Sequence, residues 1–253
     1  MLVSKTYDLK GGAGADVFTI NDTKVLTGSI AGEADADTLT FSAFTTAVDA
    51  TLTAAPTANG YTGVTTAGGI DPNPVSAGFT GIDTINGAVQ AVGGTLQGRD
   101  ATSTWSLNTT QTYTDTATDT DGGTAGIQTV SLTFTGFAVL QGGSDVDLFN
   151  VLVSKTYDLK GGAGADVFTI SDTKALTGSI AGEADADTLT VSGFTTAVNA
   201  TLTTAPTANG YTGTTSGSVN PVSAGFTGID TINGAAQAVG GTLQGRDATS
   251  AQA

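Results

Sequence analysis

Leu9-Lys10-Gly11-Gly12-Ala13-Gly14-Ala15-Asp16-Val17-Phe18-Thr19 is the stretch that decides the fold, because the chain contains it twice. The same residues stand at 159–169, and the identity extends to 2–20 and 152–170. A branched aliphatic residue, a glycine run, an aspartate and then an alternating Val-Phe-Thr read as strand, tight corner and second strand. Around this stretch, residues 2–63 return as 152–213, shifted by 150, and residues 73–88 return as 220–235, shifted by 147. The copies differ at few sites outside a ragged patch near 64–72; examples are Asn21/Ser171, Phe41/Val191, Asp49/Asn199 and Val89/Ala236. Residues 1–150 therefore form one unit and 151–253 part of a second, continuous with it. Met1 stands where the second unit has Val151. The chain is accordingly expected to be a piece of a longer array, or a subunit whose boundaries ignore the repeat.

A smaller period runs inside each unit. Aliphatic-x-Gly recurs at Leu9-Lys10-Gly11, Ile30-Ala31-Gly32, Ile85-Asn86-Gly87, Leu96-Gln97-Gly98 and Leu140-Gln141-Gly142, with Gly87 half a coil before Gly98 and expected to mark a second corner. Glycines 11, 32, 98, 142 and 161 are separated by 21, 66, 44 and 19 residues. Those intervals divide into one, three, two and one coils of 19–22 residues, or seven per unit. Short strands stacked at such a period predict an all-β fold, a parallel β-helix or solenoid with about twelve coils, roughly 55–60 Å long. Segments such as Asp37–Ser42 and Thr129–Phe134 alternate polar and apolar, so one face of each strand is expected to point inward. A pair of β-sandwiches, one per unit, would leave the 20-residue regularity unexplained.

Composition agrees. The 253 residues include 49 Thr and 36 Gly, and all but Glu33 and Glu183 of the 23 acidic side chains are Asp. Thr favours strands, whereas Gly and Asp favour turns. A hydrophobic content of 39% is enough for a core, which argues against disorder. With no Cys and no His there is no disulfide framework, zinc finger or imidazole base. A net charge of −15 excludes the basic stripe a nucleic-acid binder needs, and no apolar run is long enough to span a bilayer. Arg99, Arg246 and six lysines are too few for the mixed acidic and basic sites of polysaccharide-cleaving β-helices, so no enzyme activity is expected.

Gly11 to Thr19 and Gly161 to Thr169 satisfy G-G-x-G-x-D-x-U-x, where U is a large apolar residue. Looser versions run from Gly142 to Phe149 and from Gly32 to Leu39. The motif resembles the tandem calcium-binding β-roll repeats of secreted bacterial toxins, in which the aspartate and turn carbonyls hold Ca²⁺. Here the nonapeptides lie about 20 residues apart rather than abutting, which departs from that family's ion geometry. The chain as a whole resembles the repetitive surface and adhesin-type β-solenoid proteins of bacteria. That resemblance implies export to the cell surface and a stalk, filament or matrix role. It also implies Ca²⁺ as cofactor, with candidate ligands Asp16, Asp35, Asp37, Asp145, Asp147, Asp166, Asp185 and Asp187. Stacking would bring Asp147, Asp166 and Asp187 onto neighbouring rungs, where like charges repel by roughly 1 kcal/mol per pair in water and a divalent cation would relieve the conflict. The opposing reading makes each an ordinary turn residue capping backbone N–H groups. Open strand edges at both ends predict end-to-end association with other copies. A second function class, carbohydrate or ice recognition, rests on Thr112, Thr114, Thr116, Thr118 and Thr120 alternating along one stretch.

Overall fold

The computed structural model describes residues 3–67, 73–88, 93–115, 117–118, 127–128, 130–236 and 239–246. The described residues form strands and turns, with no helical element. β1 (Leu9–Gly12) turns a corner into β2 (Val17–Thr19), and β3 (Ile30–Glu33) and β4 (Thr38–Thr40) repeat the step 21 residues on. Leu9 pairs with Ile30 and Phe18 with Leu39, both in parallel register. The sequence period thus places each aliphatic beside its own counterpart.

The path then changes. β5 (Val48–Thr57), β6 (Gly60–Ala67) and β7 (Phe79–Ile82) fold back on one another antiparallel, and β7 lands beside β3. β8 (Thr84–Asn86) pairs with β4, and β9 (Thr95–Gln97) with β5. In the second sheet β10 (Ser103–Leu107), β11 (Gln111–Asp115) and β14 (Ser131–Thr135) make the matching antiparallel set, with β14 against β8. Between β11 and β14, β12 (Ala117–Thr118) and β13 (Ile127–Gln128) pair as a separate ribbon. β15 (Val139–Gln141), β16 (Asp147–Val151), β17 (Asp158–Gly162), β18 (Val167–Ile170), β19 (Ile180–Glu183) and β20 (Thr188–Thr190) resume the regular steps. β21 (Val198–Leu202), β22 (Tyr211–Gly217) and β23 (Phe226–Ile229) repeat the fold-back, followed by β24 (Thr231–Asn233) and β25 (Leu243–Gln244).

The result is two long, mostly parallel sheets. One runs β1-β3-β7-β6-β5-β9-β15-β17-β19-β23-β22-β21-β25 and the other β2-β4-β8-β14-β11-β10-β16-β18-β20-β24; neither closes on itself. In both, seven strand positions separate an element from its copy in the next unit (β1 from β17, β2 from β18), matching the arithmetic. Their distribution differs from expectation. The Gly32–Gly98 interval covers four positions of the first sheet and the Gly98–Gly142 interval only one. A hairpin strand adds a position without going round, and equal coils cannot anticipate it.

Alternation carries the core: β10 buries Ser103, Trp105 and Leu107 and leaves Thr104 and Ser106 outside, and β16 buries Asp147, Phe149 and Val151 and leaves Leu148 and Asn150 outside. Inward residues of both sheets merge into one apolar cluster. Its centre is aromatic. Trp105 stacks on Phe149 at 5.4 Å and Phe149 on Phe168 at 5.0 Å, while Tyr113 meets Trp105 at 4.6 Å and Tyr61 of the opposite sheet at 5.7 Å. All five are inside, so these rings pack locally and present no face to a sugar.

Candidate functional site

The corner between the sheets is built by a glycine and an aspartate five residues later. At Gly11, Gly32, Gly142, Gly161 and Gly182, the space a Cβ would fill is taken by Oδ2 of Asp16, Asp37, Asp147, Asp166 and Asp187, respectively. Only glycine lets each carboxylate lie this close over the backbone. The next strand's backbone carbonyl presses on the same glycine: Gly32 O lies 2.6 Å from a Cβ built at Gly11, and Gly182 O 2.5 Å from one at Gly161.

The carboxylates then join adjacent turns. The Asp147 amide donates to Asp166 Oδ1 at 2.8 Å, the Asp166 amide to Asp187 Oδ1 at 2.9 Å, and the Asp187 amide to Asp230 Oδ2 at 3.1 Å. In the first unit the Asp16 amide donates to Asp37 Oδ1 at 2.8 Å, and that of Asp37 to Asp83 Oδ2 at 2.9 Å. Asp147 takes further bonds, from the Ser103 hydroxyl and, at 2.7 Å, from the Gly143 amide. Spacing alone could have found Ser103, since Gly98 precedes it by the same five residues. Asp83 and Asp230 follow Phe-Thr-Gly-Ile in both units, outside the motif, and only the fold-back brings them into line.

Of the eight expected ligands, the seam holds Asp16, Asp37, Asp147, Asp166 and Asp187. All but the half-buried Asp16 are sealed from solvent. Asp35 and Asp185 lie at the exposed turns in left-handed conformation (φ 73°), accepting the Gly14 and Gly164 amides at 2.9 and 3.0 Å, and Asp145 is exposed. Among the described residues no group of three or more carboxylates converges as a metal cage would require. One oxygen each of Asp16, Asp37, Asp166 and Asp187 is buried without a hydrogen-bond partner. Burial, with the neighbouring carboxylates adding to it, pushes Asp166 up to about 8. Burial also raises Asp147 and Asp187 to about 6, against the hydrogen bonds each accepts. A protonated side chain resolves the conflict, because it removes the charge at once.

The consequence for stability has a definite sign. These carboxyls hold a proton more tightly folded than unfolded, so stability falls as pH rises from about 4 through 8 and levels off above. The melting temperature is expected to be higher at pH 5 than at pH 8.5. Asp166→Asn, which keeps Oδ1 as acceptor but cannot ionise, is expected to flatten that slope in thermal melts. An unchanged slope would show that Asp166 is not the group responsible.

Asp115 lies on the face of β11 opposite Thr112 and Thr114. It is buried on β11, where Arg99 Nη1 donates to its Oδ2 at 2.8 Å and the Tyr113 hydroxyl donates to the same oxygen at 3.3 Å. The Arg99 amide donates to Tyr113 Oη at 3.0 Å, closing the cluster. Asp115 is sealed while Arg99 still reaches solvent, so removing the arginine leaves a buried uncompensated carboxylate. No family model, curated protein or solved structure matches this chain.

Proposed function

We propose that the chain is a β-solenoid rod, a repeat module of a stalk, filament or matrix at the bacterial cell surface, without catalytic activity. One observation carries the reading: the sheets run through the unit boundary without a break. β15 and β16, from the end of the first unit, pair with β17 and β18, from the start of the second, in the same parallel register used elsewhere. Near-identical units joined this way add length rather than a unique site. The acidic surface supports solubility and discourages lateral sticking. The carboxylate seam serves such a rod by tying each turn to the next through hydrogen bonds from backbone amides. Calcium belongs to this proposal as an ion drawn to the acidic turns, at Asp35, Asp145 and Asp185.

Scattering or electron microscopy on chains of one, two and three units tests it. The long dimension is expected to grow by about 34 Å per unit, seven strand spacings of roughly 4.8 Å. A particle that thickens instead of lengthening would end the rod reading. Ca²⁺ and chelator added to the same samples show whether the ion stiffens or joins them.

A second reading has its own support. On the outward face of the smaller sheet, Thr38, Thr84, Thr133, Thr112 and Ser106 occupy one register line, and Asn150, Thr169 and Thr190 continue it. Hydroxyl and amide groups at one strand spacing form a regular array, suited to carbohydrate or ice. The array runs across strands, whereas the sequence suggested one along a strand. Thr112 and Thr114 do share the outward face of β11; the side chains of Thr116, Thr118 and Thr120 lie outside the described residues.

A further inference from the structure

On the outward face of the larger sheet lies an open hollow of about 320 Å³, lined by Asp49, Thr51, Thr95, Gln97, Gln141 and Lys160 among others. It crosses β5, β9, β15 and β17, three strand spacings or roughly 14 Å. The register explains the row: Thr51 stands beside Gln97, Gln97 beside Gln141, and Gln141 beside Lys160. A second hollow of about 300 Å³ shares Thr51 and Gln97 and continues past Thr53 to Arg99, so the two adjoin as one groove. The polar side chains have partners of their own. Asp49 Oδ1 accepts the Thr95 amide at 2.6 Å, and Thr51 Oγ1 lies 3.5 Å from Gln97 Oε1. Gln141 Nε2 donates to Glu183 Oε2 at 2.9 Å, while Lys160 Nζ lies 4.0 Å from the same carboxylate. The second unit repeats the β5–β9 part: Asn199 Oδ1 accepts the Thr242 amide at 3.0 Å, and Thr201 stands beside Gln244.

We propose that this groove binds a neutral oligosaccharide. Every residue lining the 320 Å³ hollow has a polar side chain, which excludes a lipid or an apolar peptide. Its cations are already balanced, Lys160 by Glu183 and Arg99 by Asp115, and a chain of net charge −15 repels a polyanion. What remains is a ligand that both donates and accepts hydrogen bonds without charge, the property of sugar hydroxyls. Among the described residues, Asp49 Oδ2, Gln97 Nε2 and Gln141 Oε1 take no hydrogen bond, so each can meet a hydroxyl. Asp49 and Gln141 are fixed by the bonds they do make, so ordering them costs little on binding. Carboxamides and hydroxyls one strand spacing apart can meet successive rings of a sugar chain laid across the strands, a pyranose being about as long as that spacing. No aromatic side chain lines the groove, so hydrogen bonds alone hold the sugar, and a Kd on the order of 1 mM is expected. The site is distinct from the threonine array of the smaller sheet and does not depend on the rod reading.

The test is saturation-transfer NMR on the full chain with cellopentaose, maltopentaose and mannopentaose, followed by calorimetric titration of any that responds. At least one is expected to bind, and Gln97→Ala combined with Gln141→Ala is expected to weaken it about tenfold or more. Both glutamines stand on the outward face, so the double variant empties no core and should melt at the temperature of the unsubstituted chain. Thr112→Ala combined with Thr133→Ala, on the smaller sheet, is expected to leave binding unchanged. Binding by none of the three sugars, or binding that survives the glutamine substitutions, overturns the proposal. In the second case, loss in the threonine variant assigns the sugar to the smaller sheet. Equal loss in both variants overturns it as well, since it would report the fold and not the groove. Binding of an oligogalacturonate in preference to all three would overturn the neutral class of ligand.

Discussion

Gly161→Val is expected to prevent folding or to cost about 3 kcal/mol or more, the upper range for forcing atoms into a packed site. Its Cβ would overlap Asp166 Oδ2 on one side and the Gly182 carbonyl on the other. Neither can retreat: the carboxylate accepts the Asp147 amide, and the carbonyl belongs to the adjoining strand. Gly142 and Gly182 have the same surroundings and should respond alike. Gly193→Ala is the control, because nothing lies within 4 Å of the Cβ it would add. Urea denaturation monitored by circular dichroism reads both. Equal stability of Gly161→Val and Gly193→Ala would mean that the glycine–aspartate corner is not what holds the turns together.

Trp105→Ala should cost about 3–5 kcal/mol, as expected for emptying a buried aromatic site. The ring is fully buried, stacked on Phe149 and edge-on to Tyr113 and Phe134, at the point where β10 joins the antiparallel strands to the parallel ones. Its removal leaves a cavity bounded by strands on both sides that cannot move closer. Calorimetric melting measures the loss. A paired comparison locates it in the fold: Tyr61→Ala is expected to be strongly destabilising and Tyr211→Ala nearly neutral, although both tyrosines stand in the same sequence context. Equal effects would mean that the two units are covered alike.

The sequence by itself determined the β class, the seven positions per unit, and the stacking of Asp147, Asp166 and Asp187. All three follow from local chemistry. Thr and the branched aliphatics alternate with period two, and the turn from aliphatic-x-Gly to Asp is complete within nine residues, so a fixed shift brings like onto like. What only the tertiary structure decided is the route between Gly32 and Gly142. β5, β6 and β7 reverse direction to fill three positions of one sheet, and β10, β11 and β14 fill the facing positions of the other. No local signal forces two separated segments to occupy opposite faces of one core; burial of Tyr61 against Tyr113 does, and that contact joins residues 52 apart in sequence. The same holds for the carboxylates. Spacing placed them in a line, but whether they met water, a cation or a backbone amide depended on how closely the next turn approached, and glycine at each corner let it approach to hydrogen-bonding distance.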